Sequence, residues 1–268
     1  MRPNCLVSRA LLAIPAVAIW PAAFAANPAV APAARTAVVA PAPQAAAVLA
    51  SFPTRWIPAY SAVPANWVVT NYNSTSWLIT DVTTATTGQT MFVYYSTGLP
   101  AVAVPTGWII SQAGSVTNEI TKIAGAPAWA VYMAALGSPI PEGWVITEAG
   151  SVRNQLTNVN GAADYATVNV ALGSPVPKDW VITTAGSVKN TLTKVANVPN
   201  YTVISVTIGS PIPEGWVVTN AGSLKNEITK IKTLPVGTEI WVAVGSPIPL
   251  GWEVKTPGSI KQLIVRRY

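Results

Sequence analysis

Residues 209–223 read GSPIPEGWVVTNAGS, and close copies of this stretch begin at residues 137, 173 and 245. Tryptophans at positions 108, 144, 180, 216 and 252 are 36 residues apart, and a further tryptophan at position 67 precedes the first of them by 41 residues. Self-similarity at a fixed period of this length is typical of repeat proteins. We therefore expect six tandem repeats, one of them with an insertion, between residues 53 and 268.

Each repeat has a proline three residues before its tryptophan, and we predict structural roles for both columns. Proline fixes φ and lacks an amide hydrogen, which favours a connection or the first residue of a strand. A buried indole removes roughly 150 to 250 Å² of surface from water, so six of them would dominate a core. We expect the tryptophans to pack one repeat against the next, with exposed platforms for sugar rings as the alternative. The two columns are Trp67, Trp108, Trp144, Trp180, Trp216 and Trp252, and Pro64, Pro105, Pro141, Pro177, Pro213 and Pro249.

Two further positions in each repeat are restricted to Gly, Asn or Asp, the residues that adopt positive φ at least cost. We predict a tight turn with left-handed backbone at both. The first position, directly before the tryptophan, holds Asn66, Gly107, Gly143, Asp179, Gly215 and Gly251. The second, six residues after it, holds Asn73, Gly114, Gly150, Gly186, Gly222 and Gly258.

Short β-branched segments between these turns indicate an all-β fold. WVVT at 216–219 reads as one strand, and YTVISVTIG at 201–209 reads as another. The segment SLKNEITKI at 223–231 fits either a helix or a third strand, and we favour the strand because sister repeats are richer in β-formers there. Six such units suit a closed, propeller-like ring, which we favour over an open β-solenoid.

The N-terminal region predicts export. Arg2 and Arg9 precede an apolar run that ends in Ala23-Phe24-Ala25, the layout of a secretory signal peptide over residues 1–25. Residues 26–52 are rich in Ala and Pro, which predicts a linker between the signal peptide and the repeats at 53–268. We expect a secreted protein, extracellular or periplasmic, without a transmembrane segment after cleavage.

The composition argues against catalysis. The chain has no His, and its one Cys lies inside the predicted signal peptide, which removes the commonest general base, the thiol nucleophile and nearly all zinc or copper ligand sets. The ten acidic residues do not recur at one repeat position. We predict a non-enzymatic protein without cofactor or metal, and glycoside hydrolysis by a carboxylate pair remains the third alternative.

Two columns of polar residues do recur. Ten residues after the tryptophan stand amides that we expect to bond turn backbone, namely Asn118, Asn154, Asn190 and Asn226. Nine and fourteen residues after it stand cations that hold more than half of the basic charge left after cleavage. These eight are the candidate ligand-binding residues, against the simpler reading of solvated side chains that aid solubility: Arg153, Lys189, Lys225, Lys261, Lys122, Lys194, Lys230 and Arg266.

The repeated phrase SPIPxGWVVT with its spaced Asn and Ile, over about residues 137–264, resembles tandem motifs of uncharacterised bacterial secreted proteins. This resemblance implies export and repetition, and no activity. Together with the cation columns it favours a secreted repeat protein that binds at a cell surface or matrix, with an acidic polysaccharide or another polyanion as partner. A structural envelope or spacer protein without a small ligand is the alternative.

Overall fold

The computed structural model describes residues 52–94 and 103–268. Within these ranges the regular secondary structure consists of β-strands. The predicted signal peptide at 1–25 and all but the last residue of the predicted linker at 26–52 lie outside the described residues. In the described part of the chain, no helix has the length and hydrophobicity that a membrane crossing requires.

Eighteen strands form six antiparallel, three-stranded sheets, one per repeat, which confirms the all-β repeat prediction. The first strands are β1 (Thr54–Pro58), β4 (Thr90–Tyr94), β7 (Val131–Ala135), β10 (Thr167–Ala171), β13 (Val203–Thr207) and β16 (Glu239–Ala243). The second strands are β2 (Trp67–Tyr72), β5 (Trp108–Gln112), β8 (Trp144–Glu148), β11 (Trp180–Thr184), β14 (Trp216–Ala221) and β17 (Trp252–Thr256). The third strands are β3 (Ser76–Asp81), β6 (Thr117–Lys122), β9 (Arg153–Asn158), β12 (Lys189–Lys194), β15 (Lys225–Lys230) and β18 (Lys261–Arg266).

The third segment of each repeat is a strand, as predicted, and it occupies the centre of its sheet. In repeat 5 the order is β13-β15-β14, and the other five sheets have the same order. A central strand forms backbone hydrogen bonds with a neighbour on both sides. These bonds require an extended conformation, even though the apolar residues of this segment also fit a helical spacing. The second strand, which begins with the tryptophan, is an edge strand with a bulge after its third residue.

The edge tryptophan forms the joint between repeats. Trp216 is 1% exposed and shares a buried cluster with Val181 of the preceding repeat and Ala243 of the following repeat. The apolar partner from the preceding repeat always directly follows that repeat's own tryptophan. The equivalent pairs are Trp108 with Val68, Trp144 with Ile109, Trp180 with Val145, and Trp252 with Val217. Only the indole of Trp67, in the first repeat, is partly exposed, with the Arg55 guanidinium 4.8 Å from its ring centroid.

A serine completes the joint with a hydrogen bond. The amide of Val218, on the outer side of edge strand β14, donates to Ser246 Oγ of the next repeat at 2.8 Å. Ser246 Oγ is in turn placed to donate to the carbonyl oxygen of Pro247 at 3.2 Å. Three earlier joints repeat the amide-to-serine bond, at Ile110 to Ser138, Ile146 to Ser174, and Ile182 to Ser210. An edge strand presents amides that need partners, and these serines supply one at each joint.

One turn prediction is confirmed and the other is wrong. Gly215 has φ +80°, and the Trp216 amide donates to the Pro213 carbonyl at 3.1 Å, which closes a β-turn with a left-handed third residue. All six residues directly before the tryptophan have positive φ. None of the six residues in the second column does. At Gly222 the constraint is size, because a Cβ there would collide with the carbonyl oxygen of Lys225 across the hairpin.

Strand contacts run in one direction along the array. Each tryptophan strand contacts the first strand of the following repeat, as β14 contacts β16. Within the described ranges, no strand of the first sheet contacts a strand of the last. The structure shows six consecutive sheets and does not confirm the predicted closed ring.

The last repeat ends differently from the others. At the position directly after the tryptophan, where repeats 1 to 5 carry a buried Val or Ile, repeat 6 carries exposed Glu253. Its carboxylate accepts a hydrogen bond from Arg267 Nε at 2.9 Å. Two residues along the same strand, Lys255 pairs with Glu239. The outer strand of the last repeat is therefore charged.

We expect Ser246→Ala to lower the free energy of unfolding by about 1 to 3 kcal/mol, because the buried Val218 amide loses its only acceptor. Urea denaturation of both proteins measures the difference. Ser223→Ala is the matched control, since Ser223 is exposed on a hairpin, and its effect should stay within about 0.5 kcal/mol. Equal effects of the two substitutions would contradict the role of the serine bond.

Candidate functional site

Four of the eight candidate cations lie on an exposed ridge. Arg153, Lys189, Lys225 and Lys261 are the first residues of the central strands of repeats 3 to 6, and each directly follows the hairpin that links the tryptophan strand to the central strand. All four are exposed. Because they occupy the same position in consecutive repeats, the ridge presents one cation per repeat.

Aliphatic side chains accompany the cations. Directly before each cation, a hairpin aliphatic residue is 71 to 81% exposed: Val152, Val188, Leu224 and Ile260. A second aliphatic follows the first strand and is 50 to 56% exposed: Leu136, Leu172, Ile208 and Val244. In repeat 5 the Ile208 amide donates to the Leu224 carbonyl at 3.2 Å, and the equivalent bond forms in the other three repeats. We call these eight aliphatic residues and four cations the hairpin ridge.

The ridge is continuous between repeats. Lys225 Nζ donates to the carbonyl oxygen of Thr183 in the preceding repeat at 3.0 Å, next to that repeat's own hairpin. The serine at each joint lies two residues after the second aliphatic, so the bond from Ile182 to Ser210 brings the end of one repeat's sheet against the tryptophan strand of its neighbour. Neighbouring hairpins therefore lie along the same side of the array.

The ridge carries uncompensated positive charge. The described residues contain two ion pairs, Lys255 with Glu239 and Arg267 with Glu253, and neither includes a ridge cation. Glu148 and Glu227 are exposed on strands beside the hairpins but pair with none of the four cations. The ridge thus has four cations and only two carboxylates on the strands beside its hairpins. Its net charge is positive, and its electrostatic field attracts anions.

The second cation column, fourteen residues after the tryptophan, has a different environment. Lys122 Nζ donates to the Ala85 carbonyl at 2.6 Å, and Lys230 Nζ donates to the Ala196 carbonyl at the same distance. Arg266 donates to the Leu234 carbonyl and also, at 3.1 Å, to the Lys232 carbonyl. In each case the acceptor is in the loop that leads into the same repeat's first strand. These three side chains therefore hold that loop in place.

Repeat 3 supports this interpretation with a neutral residue. Asn158 occupies the same position, and its Nδ2 donates to the carbonyls of Ala126 and Pro127 at 2.8 and 3.0 Å. A hydrogen-bond donor, not a positive charge, is what the position shares across these repeats. Lys194, in repeat 4, is partly exposed and makes no side-chain hydrogen bond within the described part of the chain.

Lys230 is the most buried cation of the column, with 6% of its surface exposed. Desolvation by burial lowers its pKa, and the nearby charge of Lys232 lowers it further. Asp164 and Asp179 act in the opposite direction and do not reverse the shift. A lysine in this environment is a poor ligand for an external anion, because its ammonium group is already bonded and shielded.

The asparagine column lies inside the hairpins. Asn118 Oδ1 accepts a hydrogen bond from the Gly114 amide at 3.0 Å, within the same hairpin. Asn154, Asn190 and Asn226 accept the equivalent bond at 3.2 to 3.3 Å. These amides close the hairpins that carry the ridge and so fix where its cations emerge.

Residues 52–94 and 103–268 contain no cluster of three acidic, His or Cys side chains able to hold a metal ion. Sequence reasoning missed the exposed aliphatic partners of the cations. The signal was present, because Val, Leu or Ile follows the hairpin serine in repeats 2 to 6.

Comparison of the chain with protein-family models, with curated proteins and with solved structures finds no match.

We expect the stability of the wild type, relative to Lys230→Met, to rise with pH. Burial lowers the Lys230 pKa in the folded state, so between that lowered value and 10.5 the unfolded chain binds more protons than the folded one. Stability then increases as pH rises through this window, whereas the methionine variant lacks this contribution. Urea denaturation at several pH values measures it, and a difference between the two proteins that is constant with pH would contradict the burial of the charge.

Proposed function

We propose that this chain is a secreted, non-enzymatic repeat protein that binds a polyanion at a cell surface or in a matrix, with acidic polysaccharide as the first candidate. The observation that carries the proposal is the ridge of four exposed cations, Arg153, Lys189, Lys225 and Lys261, on consecutive repeats without ion-pair partners in the described residues. A linear polyanion has charges at regular intervals, and a linear row of cations is complementary to it.

An open array supports this function better than a closed ring. We infer an open arrangement because Glu253 replaces the apolar residue that would receive the next indole, and its bond to Arg267 keeps it at the surface. At the other end, Trp67 is partly exposed beside Arg55. Charged groups at both ends are the expected caps of a linear repeat array. Such an array would display its cations along an extended surface.

We expect the full chain to be retained on heparin resin and to elute with salt, because screening weakens contacts between exposed charges. Replacing Arg153, Lys189, Lys225 and Lys261 with Gln should abolish most of this retention. The matched control replaces Lys178, Lys232, Lys255 and Arg267 with Gln, which removes the same charge from exposed residues outside the ridge. Elution of both variants at the same salt concentration, or retention unchanged between about 50 and about 500 mM salt, would contradict the proposal.

A second candidate ligand, an anionic lipid surface, is favoured by the aliphatic half of the ridge. Leu224 and Ile260 are 81 and 80% exposed, directly beside Lys225 and Lys261. Surfaces that combine apolar side chains with cations bind anionic bilayers through both contributions. A polysaccharide gives the aliphatic side chains no comparable apolar partner.

Vesicle sedimentation separates the two ligands. If lipid is the ligand, the chain should sediment with phosphatidylglycerol vesicles but not with phosphatidylcholine vesicles. The double change Leu224→Ser and Ile260→Ser should then reduce sedimentation at least tenfold, while heparin retention stays unchanged because the cations remain. Leu250→Ser is the control, since Leu250 is 85% exposed but lies outside the ridge. Failure to bind heparin and vesicles alike would favour the alternative of a structural spacer.

A further inference from the structure

Aromatic residues occupy a strained backbone position in three consecutive repeats. Two residues before the first strand, repeats 3, 4 and 5 have Trp129, Tyr165 and Tyr201, with φ of 69, 63 and 63°. Repeats 2 and 6 have Gly88 and Gly237 at the equivalent place, with φ of 84 and 85°. Positive φ is free of strain for glycine and unfavourable for bulky residues. We call Trp129, Tyr165 and Tyr201 the aromatic row.

Burial explains only part of this choice. Trp129 is 44% exposed, Tyr165 54% and Tyr201 59%, so about half of each side chain remains in solvent. Strained backbone at non-glycine residues concentrates where function requires a particular side chain. An exposed aromatic ring, held at a position where two sister repeats use glycine, is such a case.

The loops that carry the row lie side by side. The residue before each aromatic contacts the loop of the next repeat: Asp164 Oδ1 accepts from the Asn197 amide at 3.0 Å, and Asn200 Nδ2 donates to Thr233 Oγ1 at 2.7 Å. At the first of these loops, Ala128 lies beside Gly161, where an added Cβ would be 3.9 Å from the Ala128 Cβ. The three aromatic residues therefore follow one another along the array.

Hydrogen bonds to the central strand also hold these loops in place. The backbone amides of Trp129, Tyr165 and Tyr201 donate to the carbonyl oxygen of the last residue of that strand at 2.7 to 2.9 Å. That last residue is Asn158, Lys194 or Lys230, and the side chains of Asn158 and Lys230 bond loop carbonyls as well. The row is thus a preorganised surface, which limits the entropy lost when a ligand binds.

The loops of repeats 4 to 6 contain several polar uncharged side chains, together with Asp164 and Lys232. The uncharged residues are Asn160, Asn197, Asn200 and Thr233, of which Asn200 is partly exposed and the other three are exposed. Aromatic side chains with a few amides and hydroxyls form surfaces suited to ligands that have both apolar faces and hydroxyl groups. A pyranose ring has this character, with C–H groups on its faces and hydroxyls at its edge.

We infer that the aromatic row is a binding site for a neutral polysaccharide, separate from the hairpin ridge. The ridge lies at the start of the central strands and the row at their end. The first and last of six strand residues are five steps of about 3.3 Å apart, which separates the two sites by about 16 Å in repeats 3 to 5. The alternative that the repeating tryptophans themselves offer sugar platforms does not apply to five of the six, because these five are buried. Other aromatic residues supply the exposed surface.

The inference is tested by depletion of the full chain from solution with insoluble cellulose, chitin, curdlan or amylose, in about 0.5 M salt to screen the ridge. At least one of the four should deplete the wild type. The triple variant Trp129→Gly, Tyr165→Gly and Tyr201→Gly should bind that polysaccharide at least tenfold more weakly. It should still unfold cooperatively, because glycine occupies this position in repeats 2 and 6.

Two further variants identify the cause. Tyr165→Phe with Tyr201→Phe should keep most of the binding, since the rings remain. Trp241→Ala removes an aromatic residue that is 52% exposed on a strand outside the row, and it should bind as the wild type does. Depletion by none of the four polysaccharides, equal depletion of the triple glycine variant, or equal loss in Trp241→Ala would overturn the inference. Heparin retention of the triple variant should be unchanged, which keeps this test independent of the polyanion proposal.

Discussion

The architecture depends on the joint between repeats, where an edge-strand indole packs against the apolar residue that follows the tryptophan of the preceding repeat. A single three-stranded sheet of about 36 residues buries too little apolar surface to be stable by itself. The indole of Trp216 is nearly inaccessible only because Val181 and Ala243 come from its two neighbours. The hydrogen bond from the Val218 amide to Ser246 Oγ is directional, so it fixes how the two neighbouring repeats are aligned.

The same joint determines where the surfaces with potential function lie. Between neighbouring repeats the sheets contact one another through their edge strands, so the ends of each central strand remain free to carry hairpins and loops. One end carries Lys225 between exposed aliphatic residues, and the other carries Tyr201 on a loop that Lys230 supports. Chemically similar lysines thus have different environments: both bond a carbonyl oxygen, but Lys225 is exposed, whereas only 6% of the Lys230 surface is accessible.

Most of the fold could be predicted from the sequence because it is encoded by local rules repeated six times. The proline, the left-handed residue and the tryptophan stand next to one another in the chain, and their turn is confirmed in every repeat. The size constraint at Gly222 was not predictable in this way, because it arises from a carbonyl oxygen across the hairpin. The separation of the two lysine columns also depends on loop positions that periodicity does not encode. The aromatic row has a 36-residue spacing, but only the backbone angles distinguish it from ordinary surface residues.

Glu253 changes the surface that the outer strand of the sixth repeat presents. In repeats 1 to 5, an apolar residue at this position receives another indole, and in principle the same contact could join one copy of the chain to the next. Heterologous contacts of that kind do not close on themselves and generate filaments. A carboxylate held by Arg267 at the last position makes such an addition unfavourable, because the incoming indole would have to desolvate the ion pair. The Glu253–Arg267 pair thus works against end-to-end association of two copies through this strand.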